Sequence, residues 1–303
     1  MAEYTIGIDL GGTNLRAAAI DRTGKMLQKI AGSAHFSSGR DAVVDDMVTS
    51  IRSLRLQCGA DGLAGVGVGA PGFIILKTGV VTNAHNLPGF ENFPLRDAIE
   101  RDLGAPVILE NDANAAALGE KWIGAGRDHD DLALLTLGTG VGGGIIQGGK
   151  VLHGFVGMAG EVGHITVSPN GNPCGCGNQG CLEKHASATA VIAMARMLGL
   201  GENLTAEEVY RLAVGGDERA KAIFTVVGQA LGIALAMMIN ILNFPLYLLS
   251  GGLLGAWDLF APPMLAECRR RSYTFRATNT RIEKATLGNE AGLYGAAYLP
   301  YAK

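Results

Sequence analysis

The sequence of 303 residues has little net charge and lacks any concentrated block of positive charge. Its 25 basic and 28 acidic residues give a formal net charge of −3, and no run of five or more lysines or arginines occurs. A chain that binds nucleic acid or an anionic membrane through charge needs a broad positive face. We therefore expect neither nucleic acid nor a membrane surface among its partners.

Signals for export and membrane insertion are missing or interrupted. The first nine residues contain neither a basic start nor the long apolar segment of an export signal, so we expect a cytoplasmic location. The uncharged stretch 222–257 is long enough to imitate a membrane span, but Gln229, Asn240 and Pro245 interrupt it. We interpret it as a buried helix that ends near Asn240, followed by a strand over 246–249.

Proline is scarce and glycine abundant, with 10 and 45 residues respectively. The glycine share is about twice the usual one. Collagen is excluded because the glycines do not recur at every third position. A hydrophobic content of 48% with a small net charge excludes a disordered chain. The length predicts about two domains, so the glycines should lie in the turns of a globular protein.

Two segments share the pattern of a strand, a glycine-rich turn and a second strand, which predicts two similar α/β halves with a central cleft. Glycine turns suit phosphate because backbone N–H groups can approach the anion closely where no Cβ intervenes. The first segment comprises strand Tyr4–Asp9, turn Gly11-Gly12-Thr13 and strand Leu15–Asp21, and the second comprises strand Leu132–Leu137, turn Gly138–Gly144 and strand Ile145–Gln147.

Two other phosphate-binding interpretations of the second turn are disfavoured. Residues 138–143 satisfy the G-x-G-x-x-G pattern of dinucleotide-binding proteins, but that pattern must open a helix and here a strand is predicted to follow. Residues 144–150 match the start of a P-loop, yet Val151 stands where serine or threonine is required. An oxidoreductase linked to NAD is therefore disfavoured.

One nitrogen donor and three sulfur donors fall within 18 positions, a set that suits tetrahedral structural Zn²⁺. Free thiols are the alternative, but three cysteines within eight residues in a chain without an export signal favour a metal over disulfides. We expect Cys58 and Cys268, which lack such neighbours, to be ordinary thiols. The predicted zinc ligands are His164, Cys174, Cys176 and Cys181.

Asp112 is the candidate catalytic carboxylate. A strand is predicted over 106–110 and a helix over 115–122, with Asn111 as a suitable N-cap between them. Phosphoryl transfer needs a group that accepts the hydroxyl proton of the substrate, and a carboxylate at this position could do so. The alternative is a carboxylate that only complements the helix dipole.

These motifs together carry a resemblance to a known family. Asp9-x-Gly-Gly-Thr13 and Gly138-Thr139-Gly140 resemble the two phosphate segments of the actin, hexokinase and sugar-kinase ATPase fold, and Ser250-Gly251-Gly252 resembles its adenosine segment. The run from Gly160-Glu161-x-Gly163-His164 through the cysteines to Cys181-Leu182-Glu183 resembles the signature of the ROK family, which holds repressors and sugar kinases.

The resemblance implies an α/β, two-lobed actin/hexokinase-like (ribonuclease H-like) ATPase fold with a central cleft and a structural zinc loop. The smaller lobe would contain residues 1–117 and 290–303, and the larger lobe residues 118–289. The family further implies a homodimer.

The implied activity is phosphorylation of a hexose at O6 by ATP, with Mg²⁺ and a structural Zn²⁺. Asp112 would be the general base, and Asp9 would position Mg²⁺ through water. The implied ATP-binding residues are Asp9, Gly11, Gly12, Thr13, Gly138, Thr139, Gly140, Gly251 and Gly252. The implied sugar-binding residues are Gly72, Asn86, Asn111, Asp112, Glu161, His164 and Glu183.

Glucose is the favoured hexose, because Asn86-Leu87-Pro88-Gly89 and Cys181-Leu182-Glu183 resemble the glucose-specific members. N-acetylmannosamine, N-acetylglucosamine and allose remain alternatives, since kinases for these sugars share nearly all of the residues. The sugar-responsive repressor branch is disfavoured. Only eight residues precede Asp9, which leaves no room there for a helix-turn-helix. The net charge of −3 gives no indication of a basic DNA-binding face.

Overall fold

The computed structural model describes residues 3–12, 14–82 and 87–302, and these form twelve strands and ten α-helices. The strands are β1 Tyr4–Leu10, β2 Asn14–Asp21, β3 Met26–Ser33, β4 Leu63–Ala70, β5 Phe73–Ile75, β6 Val80–Thr82, β7 Val107–Asn111, β8 Leu132–Leu137, β9 Val141–Gln147, β10 Lys150–Val151, β11 Leu246–Ser250 and β12 Arg281–Lys284. The helices are α1 Arg40–Cys58, α2 Leu95–Leu103, α3 Asp112–Trp122, α4 Glu183–Ala186, α5 Ala188–Met197, α6 Ala206–Val214, α7 Glu218–Leu242, α8 Trp257–Arg271, α9 Tyr273–Ala277 and α10 Ala291–Tyr298.

Two five-stranded sheets have the same strand order. The first runs β3-β2-β1-β4-β7, in which β2 is antiparallel to β1 and β3, while β4 and β7 continue the sheet in parallel. The second runs β10-β9-β8-β11-β12, in which β10 is antiparallel to β9, and β11 pairs in parallel with β8 and β12. The predicted pair of similar α/β halves is confirmed by this matching order.

The chain divides into two compact units. The first contains residues 1–130, 144–160 and 286–303, and the second contains residues 131–143 and 161–285. In the first unit every residue of β1 is buried, as expected for a strand covered on both faces of its sheet. Buried side chains of β1 and α1, such as Ile6, Met47 and Ile51, belong to one hydrophobic cluster of that unit.

The long apolar stretch is a core helix of the second unit. Helix α7 is long and apolar enough to cross a membrane, but 67% of its most apolar window is buried inside the protein. Asp217 caps its start through Arg219 N and Ala220 N, and Asn243 in the left-handed conformation ends it. The prediction of a buried helix followed by a strand is therefore confirmed, with the helix ending at Leu242 rather than near Asn240.

The second glycine turn is shorter than the sequence predicts. Strand β9 already begins at Val141, so only residues 138–140 form the turn. A Cβ on Gly144 would lie 2.6 Å from the carbonyl oxygen of Ala113. Gly144 therefore allows strand β9 to approach helix α3 closely. The sequence pattern alone does not distinguish a glycine with this role from a glycine in a turn.

Helices α3 and α10 pack at backbone contact in the first unit, which allows a direct test. A Cβ on Gly295 would lie 1.6 Å from the carbonyl oxygen of Ala115. We expect Gly295→Ala to lower the free energy of unfolding by at least about 1–3 kcal/mol, because the two helices must separate. Denaturant unfolding measures this change.

Gly32 provides the matched control, since a Cβ there meets nothing within 4 Å. Gly32→Ala should leave the unfolding free energy nearly unchanged. Equal effects of the two substitutions would contradict the packing assigned to α3 and α10.

Candidate active site

The carboxyl ends of three parallel strands gather the predicted catalytic residues of the first unit. Asp9 of β1 pairs in register with Gly69 of β4, and Gly69 pairs with Glu110 of β7. Ligand sites of α/β proteins lie at this edge of the sheet. The residues that follow these strands, including Gly72 and Asp112, therefore share one edge with Asp9.

Asn111 links two of the predicted sugar-binding residues. Its side-chain oxygen accepts hydrogen bonds from the backbone N–H groups of Ala113 (2.9 Å) and Asn114 (3.2 Å), which caps helix α3. Its side-chain nitrogen donates to the carbonyl of Gly72 at 3.2 Å. The turn that precedes Asp112 is therefore tied to the loop that contains Gly72.

Asp112 opens helix α3 with its carboxylate folded back onto the backbone. One carboxylate oxygen accepts from the N–H of Ala113 at 2.8 Å. Desolvation raises the pKa of this carboxyl, while hydrogen bonds from Ala113, from its own backbone and from Asn111 act in the opposite direction. A carboxylate whose charged form is poorly solvated gains from taking up a proton, which suits a general base.

Asp9 is a buried carboxyl, 8% exposed. Burial raises its pKa to about 6. The charge of Arg16, whose Nε lies 3.4 Å away, opposes this shift, and the charge of Asp112 adds to it. No sequence motif indicated Arg16, which pairs with Asp9 in the register of β1 and β2. The adjoining turn is closed by a 2.8 Å hydrogen bond from Gly11 N to the carbonyl of Asn14.

Sequence reasoning also missed a buried carboxylate and its histidine partner. Glu110 lies directly before Asn111 and is 4% exposed. One of its oxygens is 2.7 Å from Nε2 of His153. The available signal was a single acidic residue at the end of an otherwise apolar strand, whereas no local pattern singled out the histidine.

In the second unit, the turn 138–140 is fastened to the start of helix α5. The carbonyl of Gly138 accepts from Ala188 N at 2.9 Å, and that of Thr139 accepts from the hydroxyl of Thr189 at 2.7 Å. Gly251, at the end of the parallel neighbour β11, has a φ of 99° and packs against the backbone of Leu137. The predicted second phosphate turn and the predicted adenosine segment therefore lie at one sheet edge.

Glu183 lies against the turn 138–140. Its carboxylate oxygen accepts from Val141 N at 3.1 Å. A Cβ on Gly140 would lie 2.2 Å from the same oxygen. Glycine at 140 thus makes room for a carboxylate, and a predicted sugar-binding residue contacts a predicted ATP-binding one.

The four predicted zinc ligands are gathered in the second unit. Their ligand atoms all lie within 4.8 Å of one another. Cys176 Sγ is 3.7 Å from Cys181 Sγ, and Cys174 Sγ is 3.6 Å from Nδ1 of His164. Tetrahedral Zn²⁺ with ordinary bond lengths would place two sulfurs about 3.8 Å apart and a sulfur and a nitrogen about 3.6 Å apart. The donor set and its spacing therefore fit zinc.

Short backbone contacts shape this cysteine loop. Cys174 N donates to the carbonyl of Asn178 at 2.8 Å, and Gly177 N donates to the carbonyl of Cys174 at 3.1 Å. Gly180 has a φ of 68°, and a Cβ there would lie 1.5 Å from the carbonyl oxygen of Ser168. These contacts turn the chain tightly enough to bring three sulfurs together.

The remaining predicted residues are placed as follows. Glu161 directly precedes a short 3-10 helix that contains His164. Cys268 is buried in α8, its thiol 3.4 Å from the carbonyl of Gly232, and Cys58 is the last residue of α1. Neither cysteine belongs to the metal-binding group found among the described residues. Thr13 and Asn86 lie outside the described residues.

Comparison with known proteins gives one consistent result. The model of the ROK family matches residues 5–303. A glucokinase of Halalkalibacterium halodurans is 38% identical over 98% of this chain and 94% of that protein. The structure of a ROK hexokinase from Thermus thermophilus matches with a TM-score of 0.90 and 34% identity, covering 99% of this chain and 98% of that one.

A ROK family glucokinase from Streptomyces griseus, solved in complex with glucose and AMPPNP, matches with a TM-score of 0.82 and 34% identity. The alignment covers 99% of this chain and 100% of that one. These matches confirm the α/β fold class that the motifs predict. The chain belongs to the ROK family.

Proposed function

We propose that this chain is an ATP-dependent glucokinase that converts glucose to glucose 6-phosphate. The observation that carries the proposal is the desolvated carboxyl of Asp112, held beside the Asn111–Gly72 hydrogen bond at the carboxyl edge of the first sheet. The relative from Halalkalibacterium halodurans is named a glucokinase, and the one from Streptomyces griseus was solved with glucose and AMPPNP.

Asp112 is the proposed general base. Phosphoryl transfer asks the protein for alignment, for neutralisation of charge and for a site that takes the hydroxyl proton. The carboxylate of Asp112 would accept the proton of the O6 hydroxyl as that oxygen attacks the γ-phosphate, while the bond from the γ-phosphorus to the bridging oxygen breaks and ADP leaves. The other proposed sugar-binding residues are Gly72, Asn86, Asn111, Glu161, His164 and Glu183.

The glycine turns are proposed to hold ATP through backbone N–H groups, which stabilise the charge that develops on the phosphates. Mg²⁺ bound with the nucleotide would supply further neutralisation, and Asp9 is the residue proposed to position it. The proposed ATP-binding residues are Asp9, Gly11, Gly12, Thr13, Gly138, Thr139, Gly140, Gly251 and Gly252.

A structural Zn²⁺ is proposed for the cysteine loop. His164 faces the thiols through Nδ1, which leaves Nε2 for a second contact. A metal-bound histidine commonly uses its other nitrogen in this way, here for a sugar hydroxyl. The metal would thereby hold the segment from Glu161 to Glu183 in place for binding.

Glucose is proposed in preference to N-acetylmannosamine, N-acetylglucosamine and allose. A sugar with a different hydroxyl pattern would leave a buried polar group unpaired, at a cost of about 1–3 kcal/mol. ADP release with an equal concentration of each hexose and N-acetylhexosamine ranks the substrates. No turnover with any of these sugars would refute the kinase proposal.

A cytoplasmic homodimer is proposed as the working form. It is supported by the resemblance to the ROK family and by Met237 and Ile241, one turn apart on α7 and 40% and 80% exposed. Contiguous exposed apolar surface marks interaction sites, and these two side chains would form part of such a surface.

Asp112→Asn tests the general base. We expect kcat to fall by about 10²–10⁴-fold, because the amide cannot accept the hydroxyl proton. Asp41→Asn is the matched control, since Asp41 also lies in the first turn of a helix, α1, and is exposed. A coupled ADP assay on both variants decides, and near-normal turnover of Asp112→Asn would remove the assignment.

The pKa of Asp9, about 6, predicts a pH dependence. Activity at limiting MgATP should fall as the pH drops through about 6, because protonation removes the charge of the carboxylate. Stability changes in the opposite direction. A raised folded pKa means that the native state binds the proton more tightly, so this contribution is present below about pH 4 and is lost as the pH rises to about 6.

Asp9→Asn should remove both the fall in activity as the pH drops through about 6 and the contribution of this carboxyl to stability at low pH. Activity and urea unfolding measured between pH 4 and 8 provide the check. If the variant keeps the wild-type pH dependence of both activity and unfolding, the titration belongs to another group.

Cys176→Ser tests the metal site. We expect bound zinc and glucose affinity to be lost together, because one thiolate ligand disappears from a set of four. Cys58→Ser should retain both, since Cys58 lies outside the group. Elemental analysis of the purified proteins and glucose titration give the two readouts, and wild-type protein without zinc would contradict the site.

A further inference from the structure

Glu110 organises the turn that carries Asp112. The carboxylate is buried at the end of β7, and its Oε1 accepts from the backbone N–H of Asn111 at 2.9 Å. The same oxygen accepts from Nδ2 of Asn114 at 3.0 Å. One oxygen therefore holds residues on both sides of Asp112.

Asn114 depends on this contact for its orientation. It is 2% exposed, and its Oδ1 is buried with no hydrogen-bond partner among the described residues. Among the described residues, the hydrogen bond to Glu110 is the only one that the side chain of Asn114 makes. Since a flipped amide would bring its oxygen against a carboxylate, the charge of Glu110 selects the observed orientation.

His153 supplies the countercharge. Its Nε2 lies 2.7 Å from Oε2 of Glu110, and its side chain is 36% exposed. The hydrogen bond to Glu110 raises the pKa of His153, burial opposes the shift, and the charge of Glu110 adds to it. The pair therefore favours the imidazolium form and a charge-assisted hydrogen bond.

We propose that His153 is a positioning residue for phosphoryl transfer: as an imidazolium it holds the Glu110 carboxylate, which orients the Asn111–Asn114 turn and thereby Asp112. The inference rests on the proposed function. Without a cation, the buried carboxylate of Glu110 keeps only neutral hydrogen-bond donors, and its orientation is no longer fixed by His153. A carboxylate that turns away removes an acceptor from Asn111 or Asn114.

A contribution to stability alone does not account for this arrangement. Buried ion pairs often add little to the free energy of unfolding, because desolvation offsets the attraction between the charges. Here both carboxylate oxygens are used, and Oε1 acts entirely on the residues around Asp112. The geometry thus fits control of orientation.

His153→Gln tests the proposal, because glutamine keeps an N–H donor and removes the charge. We expect kcat to fall by about tenfold, since small misplacement of a reacting group is costly in rate. The KM for ATP should stay within twofold of the wild-type value, because the nucleotide is proposed to be held elsewhere.

His35→Gln is the matched control. His35 also pairs with a carboxylate, with Nδ1 2.8 Å from Asp46, but it lies before α1 and its side chain is 64% exposed. Its kcat should remain within twofold of the wild-type value. A His153→Gln variant that melts at a lower temperature yet keeps wild-type kcat would reduce the pair to a structural role and overturn the proposal.

An NMR titration of the wild-type imidazole tests the pair without turnover. We expect a pKa for His153 above the ordinary 6.5 and a lower value in Glu110→Gln. A wild-type value at or below 6.5 would overturn the proposal even if that variant does not fold. If wild-type protein phosphorylates no hexose, the proposed function fails, whereas the titration still decides whether the Glu110–His153 pair exists.

Discussion

Parallel pairing of β1 with β4 and of β4 with β7 is the constraint on which the first unit's site depends. It places Asp9, Gly69 and Glu110 side by side, so that the loops after all three strands emerge at one edge. The same pairing of β11 with β8 aligns the glycine turn at 138–140 with Gly251. Strand pairing thereby gathers residues that are far apart in sequence, and side-chain hydrogen bonds such as that from Asn111 to Gly72 then fix the loops.

Glycines at backbone contacts keep this framework compact. Gly295 meets the carbonyl of Ala115, and Gly144 meets that of Ala113, so that α10 and β9 both approach α3 more closely than a side chain would allow. Helix α3 begins with Asp112. The abundance of glycine therefore reflects close packing around the site as well as turns that could receive phosphates.

The buried carboxylates near α3 differ in the partners that compensate their charge. Glu120 is fully buried and accepts hydrogen bonds from the backbone of Ala125, Thr286 and Leu287. Glu110 has an imidazole and two hydrogen-bond donors, whereas among the described residues Asp9 has one longer contact, with Arg16. Such differences in partners give a carboxylate a structural or a chemical role. The least compensated of the three, Asp9, is the one proposed to act on the nucleotide.

The sequence alone determined the family, the fold class, the grouping of three cysteines with His164 and the N-cap at Asn111, because each is recognisable in a local pattern of residue types. It did not determine where the second glycine turn ends, the contact of Glu183 with that turn, or the pairing of Glu110 with His153. These features join segments separated by up to 43 positions. Only the tertiary structure decided them, because hydrogen bonds and close approaches between distant segments depend on how strands and helices pack.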